Sequence, residues 1–396
     1  MKVLIYETGY AGHHLEYVNS LVKGLNRCGV EPLLVTSSEA VSSAEFRFRL
    51  SDESLHFRLD DSMSTTTVVS PVRTAIKKLW HLLGGISRHQ PAHVYIPYID
   101  GLIYLIGGLG DLAKGVIPEG TQIEGILFNA NFAWTQTPKA ADQLRLYLIE
   151  EALRSGLITR LHLLDEFVAE FIRERVAPSL SHRISILHDP APSAQPLVTS
   201  HQARQKLGLP QDGALVLVTG VLTARKGVTQ ILQAMSQINN PRLKLVLAGK
   251  PDSEICALLQ TPQANRLRER GRLIERLRFV EGAEFPLYFS ASDLVSACYS
   301  DHLGSSGIVL NAARARRPLI GTNQGWIGKT IEKYGLGITC EVSDLDSIKR
   351  ALNYMCAESF AFPSSSRRGE FLSKHRLEHF EDDLTRGARE RSFALK

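Results

Sequence analysis

Short apolar runs alternate along the chain with longer stretches whose apolar positions recur at helical spacing. Val3–Tyr6 is one such run and predicts a buried strand. Leu15, Val18, Val22 and Leu25 then recur three or four residues apart, which predicts a helix with one buried face. Pro32 to Val35 gives a second strand, so the chain opens with a β-α-β unit of a parallel sheet. Further strands are predicted at Val94–Ile96, Ile126–Phe128, Leu161–Leu164 and Ile184–Leu187. The stretch 38–67 is polar, shows no clean period and predicts irregular structure.

The series breaks at His188-Asp189-Pro190-Ala191-Pro192, where closely spaced prolines end regular structure. A second series follows, with strands at Leu215–Thr219, Leu243–Ala248, Leu277–Val280, Leu294–Ala297 and Pro318–Gly321. Helices are predicted at about 227–238, 253–271, 306–316 and 344–357. The six arginines in 266–278 read as a solvated helical face. Two such series predict an α/β protein of two Rossmann-like, doubly wound domains facing a cleft. Their expected bounds are 1–188, a linker 189–195, 196–373, and a C-terminal helix 374–396 able to pack back on the first domain. Ligands of such sheets sit beyond the carboxyl ends of the strands, so the loops that follow strands are where chemistry is sought.

Composition narrows the class. At roughly 150 residues per domain, 396 residues fit two or three domains. Apolar residues at 44% and charged residues at 22% exclude a disordered chain. The formal charge of +5 is too mild for a nucleic-acid coat but suits an anionic ligand. Cys28, Cys256, Cys298, Cys340 and Cys356 show neither a CxxC pair nor metal-ligand spacing, which suits reduced thiols in a cytoplasmic protein. The apolar run at the N-terminus is too short for a secretory signal. No apolar stretch approaches the about 20 residues that span a bilayer.

Three loops combine glycine with polar groups at a strand end. Glu7-Thr8-Gly9-Tyr10-Ala11-Gly12-His13-His14 spaces its glycines as G-x-x-G, not as the G-x-G-x-x-G of dinucleotide sites. Gly220-Val221-Leu222-Thr223-Ala224-Arg225-Lys226-Gly227 sets two adjacent cations after a strong strand, suited to a phosphate. Cys298-Tyr299-Ser300-Asp301-His302-Leu303-Gly304-Ser305-Ser306-Gly307 leads into an apolar helix. There Ser305 or Ser306 serves as N-cap, and the exposed amides suit a phosphate.

The order of these loops resembles that of the GT-B glycosyltransferases, in particular the retaining family 4, the glycosyl transferases group 1. That family carries a G-R-L-x-x-x-K-G stretch early in its second domain, matched here by Gly220 to Gly227. Its later strand and glycine pair are matched by Pro318-Leu319-Ile320-Gly321-Thr322 and Gly325-Trp326-Ile327-Gly328, and its glycine-rich turn by Tyr334-Gly335-Leu336-Gly337. The resemblance covers about 213–357 and extends more weakly to Gly12-His13. Departures stand beside it. Val221 replaces an arginine, with Arg225 next to the matched lysine. Leu303 and Asn311 occupy the two carboxylate positions, with Asp301 two residues before the first. Asn129 and Asn131 stand near the place of a first-domain histidine.

The resemblance implies transfer of a hexose-like sugar from a nucleotide diphosphate with retention, without a metal or other cofactor. It implies catalytic roles for Arg225, Lys226 and Asp301. Gly12, His13, Gly220, Gly304, Ser305, Ser306, Gly307 and Asn311 then surround the donor, and Asn129 and Asn131 lie on the acceptor side. The partners are a nucleotide sugar and an acceptor that is a glycan, a lipid or a small molecule, with no nucleic acid. Two alternatives stay open: a sugar-nucleotide-binding protein that lost turnover, and a nucleotide-sugar epimerase.

Asp344-Leu345-Asp346 matches the D-x-D pattern of metal-dependent transferases but reads better as acids at a helix start. Val72 to Gly84 carries Arg73, Lys77, Lys78 and Trp80 and admits two readings. One is a core-packing amphipathic helix; the other is peripheral contact with the cytoplasmic face of an anionic membrane.

Overall fold

The structure is a computed structural model that describes residues 1–11, 13–63, 70–110, 112, 115, 117–135, 137–191, 198–280, 282–357, 362 and 366–394. The chain forms two compact units, one of Met1–Asp189 with the chain from Glu378 onward, the other of Pro190–Leu377.

The first unit runs β1 (Val3–Tyr6), α1 (His14–Arg27), β2 (Leu33–Ser37), α2 (Ser38–Val41), α3 (Ala44–Leu50), β3 (Arg58–Met63) and α4 (Pro71–His89). It continues with β4 (His93–Ile96), α5 (Asp100–Leu109), β5 (Gln122–Leu127), α6 (Ala140–Arg154), β6 (Arg160–Leu163), α7 (Glu166–Arg173) and β7 (Ile184–Ile186). The strands form one parallel sheet in the order β3-β2-β1-β4-β5-β6-β7. Both faces are covered, which is why β1, β2 and β4 are buried at every position. Leu79, Leu82, Leu83 and Ile86 of α4 pack with Leu102, Ile103 and Ile106 of α5 and Ile149 of α6 on one face. Leu15, Val18, Leu21, Val22 and Leu25 of α1 fill the other.

The second unit runs α8 (Ser200–Leu207), β8 (Ala214–Thr219), α9 (Val228–Gln237), β9 (Leu243–Ala248), α10 (Ser253–Leu258), α11 (Pro262–Glu269), β10 (Leu273–Arg276) and α12 (Glu284–Ala291). It goes on through β11 (Leu294–Ala297), α13 (Gly307–Arg314), β12 (Leu319–Thr322), α14 (Gly325–Tyr334), β13 (Gly337–Cys340), α15 (Leu345–Met355) and α16 (Ser366–Lys374). Its parallel sheet has the order β10-β9-β8-β11-β12-β13. The last helix, α17 (Leu377–Ala394), sets Phe380, Leu384 and Ala388 into the first unit's core beside α1. Helix thus begins again at Leu377 rather than near 374, because α16 runs up to Lys374 before the break.

Four local expectations are corrected. The stretch 38–67, of which 64–67 lie outside the described residues, holds α2, α3 and β3 over 38–63, and β3 is an edge strand with only Met63 buried, so it has no apolar pattern to show. The strand expected at Leu277–Val280 lies at Leu273–Arg276, in register with Leu245–Ala248, and leaves Leu277 and Phe279 exposed. The single helix expected at 253–271 is two, because Pro262 with its Thr261 cap starts a new one. The arginine run is not one solvated face. Arg268 pairs with Glu275 across a turn, and Arg272 is buried, donating to the Leu243 and Ile238 carbonyls at 2.9 and 2.8 Å.

Candidate functional site

In the second unit the strand order reverses between β8 and β11, the point at which sheets of this kind bind ligands beyond the carboxyl ends of their strands. After β8 the chain makes a 3-10 turn, Ala224–Lys226, that places Lys226 over the strand end. Lys226 is not a solvated loop lysine. It is buried, and its Nζ donates to the Thr219 carbonyl at 3.0 Å and to the Tyr299 hydroxyl at 3.2 Å. An ammonium has three protons, so these bonds leave one for a ligand. Arg225 lies with its guanidinium carbon 5.5 Å from the Tyr299 ring centre, and its carbonyl accepts from the Ser300 amide. Gly227 then enters α9 at φ 69°, where an added Cβ would lie 2.0 Å from the Cys298 carbonyl oxygen. Only glycine lets the β8 loop press this closely against the end of β11.

The loop after β11 completes the group. Ser306 is the N-cap of α13, as the sequence suggests, but it makes no side-chain cap bond. Its hydroxyl instead donates to Tyr299 Oη at 3.5 Å. The Ser306 carbonyl accepts from the Val309 amide at 3.0 Å, but the cap side chain claims none of the first amides of α13. His302 donates from Nε2 to the Ser305 carbonyl at 3.0 Å, and its ring meets Tyr299 edge-on at 5.4 Å. Burial, together with the Arg225 and Lys226 charges, holds the His302 imidazolium below its ordinary range. Gly304 and Ser305 belong to this loop, which is tied to α14 where the Leu303 carbonyl accepts from the Trp326 amide at 2.8 Å.

Other expected residues stand differently. Gly220 sits directly beneath the ammonium, since an added Cβ there would lie 2.8 Å from Lys226 Nζ. Asp301 is exposed, at φ 52°. Asn311 is buried and turned back on its own helix, its Nδ2 donating to the Gly307 carbonyl at 2.7 Å. That bond takes one of its two amide protons and leaves the other proton and Oδ1.

The first unit has a matching reversal between β1 and β4. Gly12 lies outside the described residues. His13 is exposed and pairs with Glu16 at 3.3 Å, a contact that raises its pKa. Glu7 is buried at the end of β1. Its Oε1 accepts from the Gly9 amide at 2.7 Å and lies 3.0 Å from His14 Nδ1, while Oε2 is buried without a partner. The His14 ring packs on Tyr98 at 4.5 Å. Asn129 is exposed and donates from Nδ2 to the Tyr98 hydroxyl, and its amide donates to Asp100 Oδ1 at 2.6 Å. Asn131 opens the 3-10 turn Asn131–Trp134 and is exposed.

Sequence reasoning passed over Tyr299, His302, Glu7, His14 and Tyr98 as site residues. Their only signal was position, each falling in or beside a loop at a strand end. Among the described residues no three histidine, cysteine or acidic side chains gather as metal ligands. Asp344 caps α15, accepting from the Asp346 amide at 2.9 Å.

This architecture has counterparts. None of the curated proteins matches the chain in sequence. Among solved structures, HepE of Anabaena in complex with UDP superposes with a TM-score of 0.69 at 14% identity, covering 98% of this chain and 100% of its own. Sucrose-phosphate synthase from Thermosynechococcus elongatus gives 0.69 at 16% identity over 100% of both chains. WaaG, a glycosyltransferase of lipopolysaccharide biosynthesis, gives 0.59 at 14% identity, covering 98% of this chain and 99% of its own. Residues 199–370 match the family model of glycosyl transferases group 1. The chain has the GT-B fold, and within its second unit residues 199–370 are similar to the glycosyl transferases group 1 family.

Proposed function

We propose that the protein is a retaining glycosyltransferase that draws a sugar from a nucleotide diphosphate donor without a metal ion. The observation that carries this reading is the Lys226–Tyr299–Ser306 cluster at the β8/β11 reversal, at the start of α13, whose first amides the cap side chain does not bond. As the bond from the anomeric carbon to the diphosphate breaks, the leaving group gains negative charge. The third proton of Lys226, the Arg225 guanidinium and the α13 amides are fixed donors for that charge. Such preorganised donors act on the transition state more than on the ground state. Gly220, Gly304, Ser305 and Gly307 supply the close backbone around the donor, and Asp301 meets its sugar. The uridine nucleotides found with HepE make UDP-sugars the first donors to test.

Asn311 favours a second reading. It stands as a neutral amide where the family carries a carboxylate, with one proton on the Gly307 carbonyl, and a nucleotide-binding protein without turnover is a coherent alternative. A thermal-shift series with UDP, GDP, ADP and their sugars, followed by transfer assays, separates the two. Selective stabilisation with product formation supports the enzyme. Stabilisation without turnover supports the binder. A folded Lys226→Ala protein that keeps full nucleotide affinity and transfer rate removes the assignment of the diphosphate to this cluster.

A further inference from the structure

Beneath α17 the first sheet carries a buried polar row that the proposed reaction does not use. His93 of β4, Glu124 of β5, His162 of β6 and Ser185 of β7 stand on four neighbouring strands. Glu124 takes both imidazoles: its Oε2 lies 2.8 Å from His162 Nε2, and its Oε1 lies 3.4 Å from His93 Nε2. Ser185 Oγ meets the other nitrogen of His162 at 2.7 Å. Burial pushes the Glu124 carboxyl up, but the hydrogen bonds from His162 and His93 outweigh it and hold the group well below its ordinary range. Glu124 is thus a carboxylate whose two oxygens both face histidines.

That arrangement leaves a guanidinium without an acceptor. Arg160 of β6 is the register partner of Glu124 on β5, and adjacent strands lie about 4.8 Å apart. A pair of this kind ordinarily closes an ion pair, but here the histidines hold the carboxylate. Arg160 is half-buried and makes no hydrogen bond or ion pair among the described residues. It lines a cavity of about 300 Å³ at the amino ends of β5 and β6, with Gln122, Thr159, Glu390 and Arg391. The last two come from α17, which lies against the row at Gly387. Arg391 is engaged by the chain, its terminal nitrogens donating to the Ala92 and Gly120 carbonyls at 2.7 Å each. The side chains of Glu390 and Gln122 have no hydrogen-bond partner among the described residues.

We infer that this cavity binds a small organic anion, a carboxylate or phosphate that also carries hydroxyl or ammonium groups. A guanidinium offers its N–H groups in a planar fork that matches two oxygens of one such anion. Half-buried polar groups are ordinarily satisfied, and the protein supplies Arg160 with no acceptor. Glu390 and the Gln122 carbonyl accept from donors at the other end of the ligand. The volume lies at the small end of ligand pockets, so it suits a molecule of a few carbons. The cavity is at the opposite end of the first sheet from the loops of Glu7 and Asn129, so its occupant is a ligand separate from the sugar acceptor. Because α17 supplies one wall, binding there also fastens the end of the chain to the first unit.

The inference is tested by thermal shift and titration calorimetry of the full-length protein with L-serine, glycerate and glycerol 3-phosphate. Ethanolamine and glycerol serve as probes that lack the anion. At least one anionic probe should bind and raise the melting temperature, and the two others should do neither. Which anion binds tells a carboxylate site from a phosphate site, and either supports the inference. Arg160→Gln should lower that affinity by about tenfold or more, as expected for a lost charge-assisted fork. Arg160→Lys keeps the charge and the stem, so it serves should the glutamine variant not fold, and it should weaken binding severalfold. Both should keep the wild-type nucleotide-induced thermal shift. Absence of binding by all three anions overturns the inference, and so does wild-type affinity in the folded Arg160 variants. Displacement of the bound anion by UDP also overturns it, assigning the anion to the nucleotide site. The readout uses no sugar transfer, so its failure leaves the transferase reading standing, and failure of that reading leaves this site standing.

Discussion

The two units share a strand order in which the first strand laid down borders the point of reversal, yet they furnish that point with opposite chemistry. Between β8 and β11 the second unit gathers an ammonium, a guanidinium and a phenol, with the amide end of α13 above them. Between β1 and β4 the first unit gathers a buried carboxylate, an imidazole and a phenol. The second set is cationic, and the first sets a carboxylate against an imidazole. A shared backbone plan thus repeats the reversal, and the side chains at the strand ends give each its own chemistry.

Breaking the cationic side should have the largest effect. Lys226→Ala is expected to lower the transfer rate by about two to three orders of magnitude, the usual cost of one charge-stabilising donor. Steady-state kinetics with a nucleotide sugar checks this, with Lys226→Met as the volume-matched control. The units also differ in what completes them, since the first needs α17 from the end of the chain. Gly387 of α17 lies against Glu124, where an added Cβ would fall 2.2 Å from the carboxylate oxygen. Gly387→Ala should destabilise by about 1–3 kcal/mol through overpacking, read as a lower melting temperature. The same glycine-to-alanine change at Gly84, where a Cβ meets nothing, should not lower it.

Glu7→Gln sharpens the contrast from the acidic side. It should raise the acceptor KM by about tenfold, as expected for a lost charged hydrogen bond, and leave nucleotide affinity unchanged. An equal loss of nucleotide affinity would show that the two strand-order reversals do not divide the substrates in this way.

The smallest effect concerns pH. His302 is held neutral below its usual range by burial and by Arg225 and Lys226. A bound diphosphate offsets those cations and raises the imidazole pKa, so the complex takes up a proton. Affinity for a nucleotide sugar, whose diphosphate does not titrate in this range, should rise about two- to threefold as pH falls from about 7 to about 5.5. Titration calorimetry should show the rise in the wild type and its loss in His302→Gln.

Much of the scaffold was legible from periodicity alone. Val3–Tyr6, Leu243–Ala248 and Leu294–Ala297 are strands with the bounds their apolar runs suggest, since each is buried on both faces. Strand β3, Arg58-Leu59-Asp60-Asp61-Ser62-Met63, was not legible because an edge strand need not be apolar. Strand β10 was misplaced for a related reason: Leu277-Arg278-Phe279-Val280 is the more apolar run, but the four residues before it hold the register with β9. At the site, Arg225 and Lys226 were legible as cations after a strong strand. Asn311 was legible as a position, but the turning of its amide onto Gly307 was not.

The order of amino acids by itself determined that this protein would alternate strand and helix, break near Pro190 and present glycine-rich loops at strand ends. Those properties are local, written in periods of two and 3.6 residues and in where glycine and proline fall. Tertiary structure alone decided that Lys226 is a buried, bonded cation and Trp80 an exposed indole. The first outcome depends on Tyr299, 73 residues further along the chain, which the strand order brings to the neighbouring loop. The second depends on which side of α4 the sheet occupies. Neither partner is near in sequence, and no local period records it.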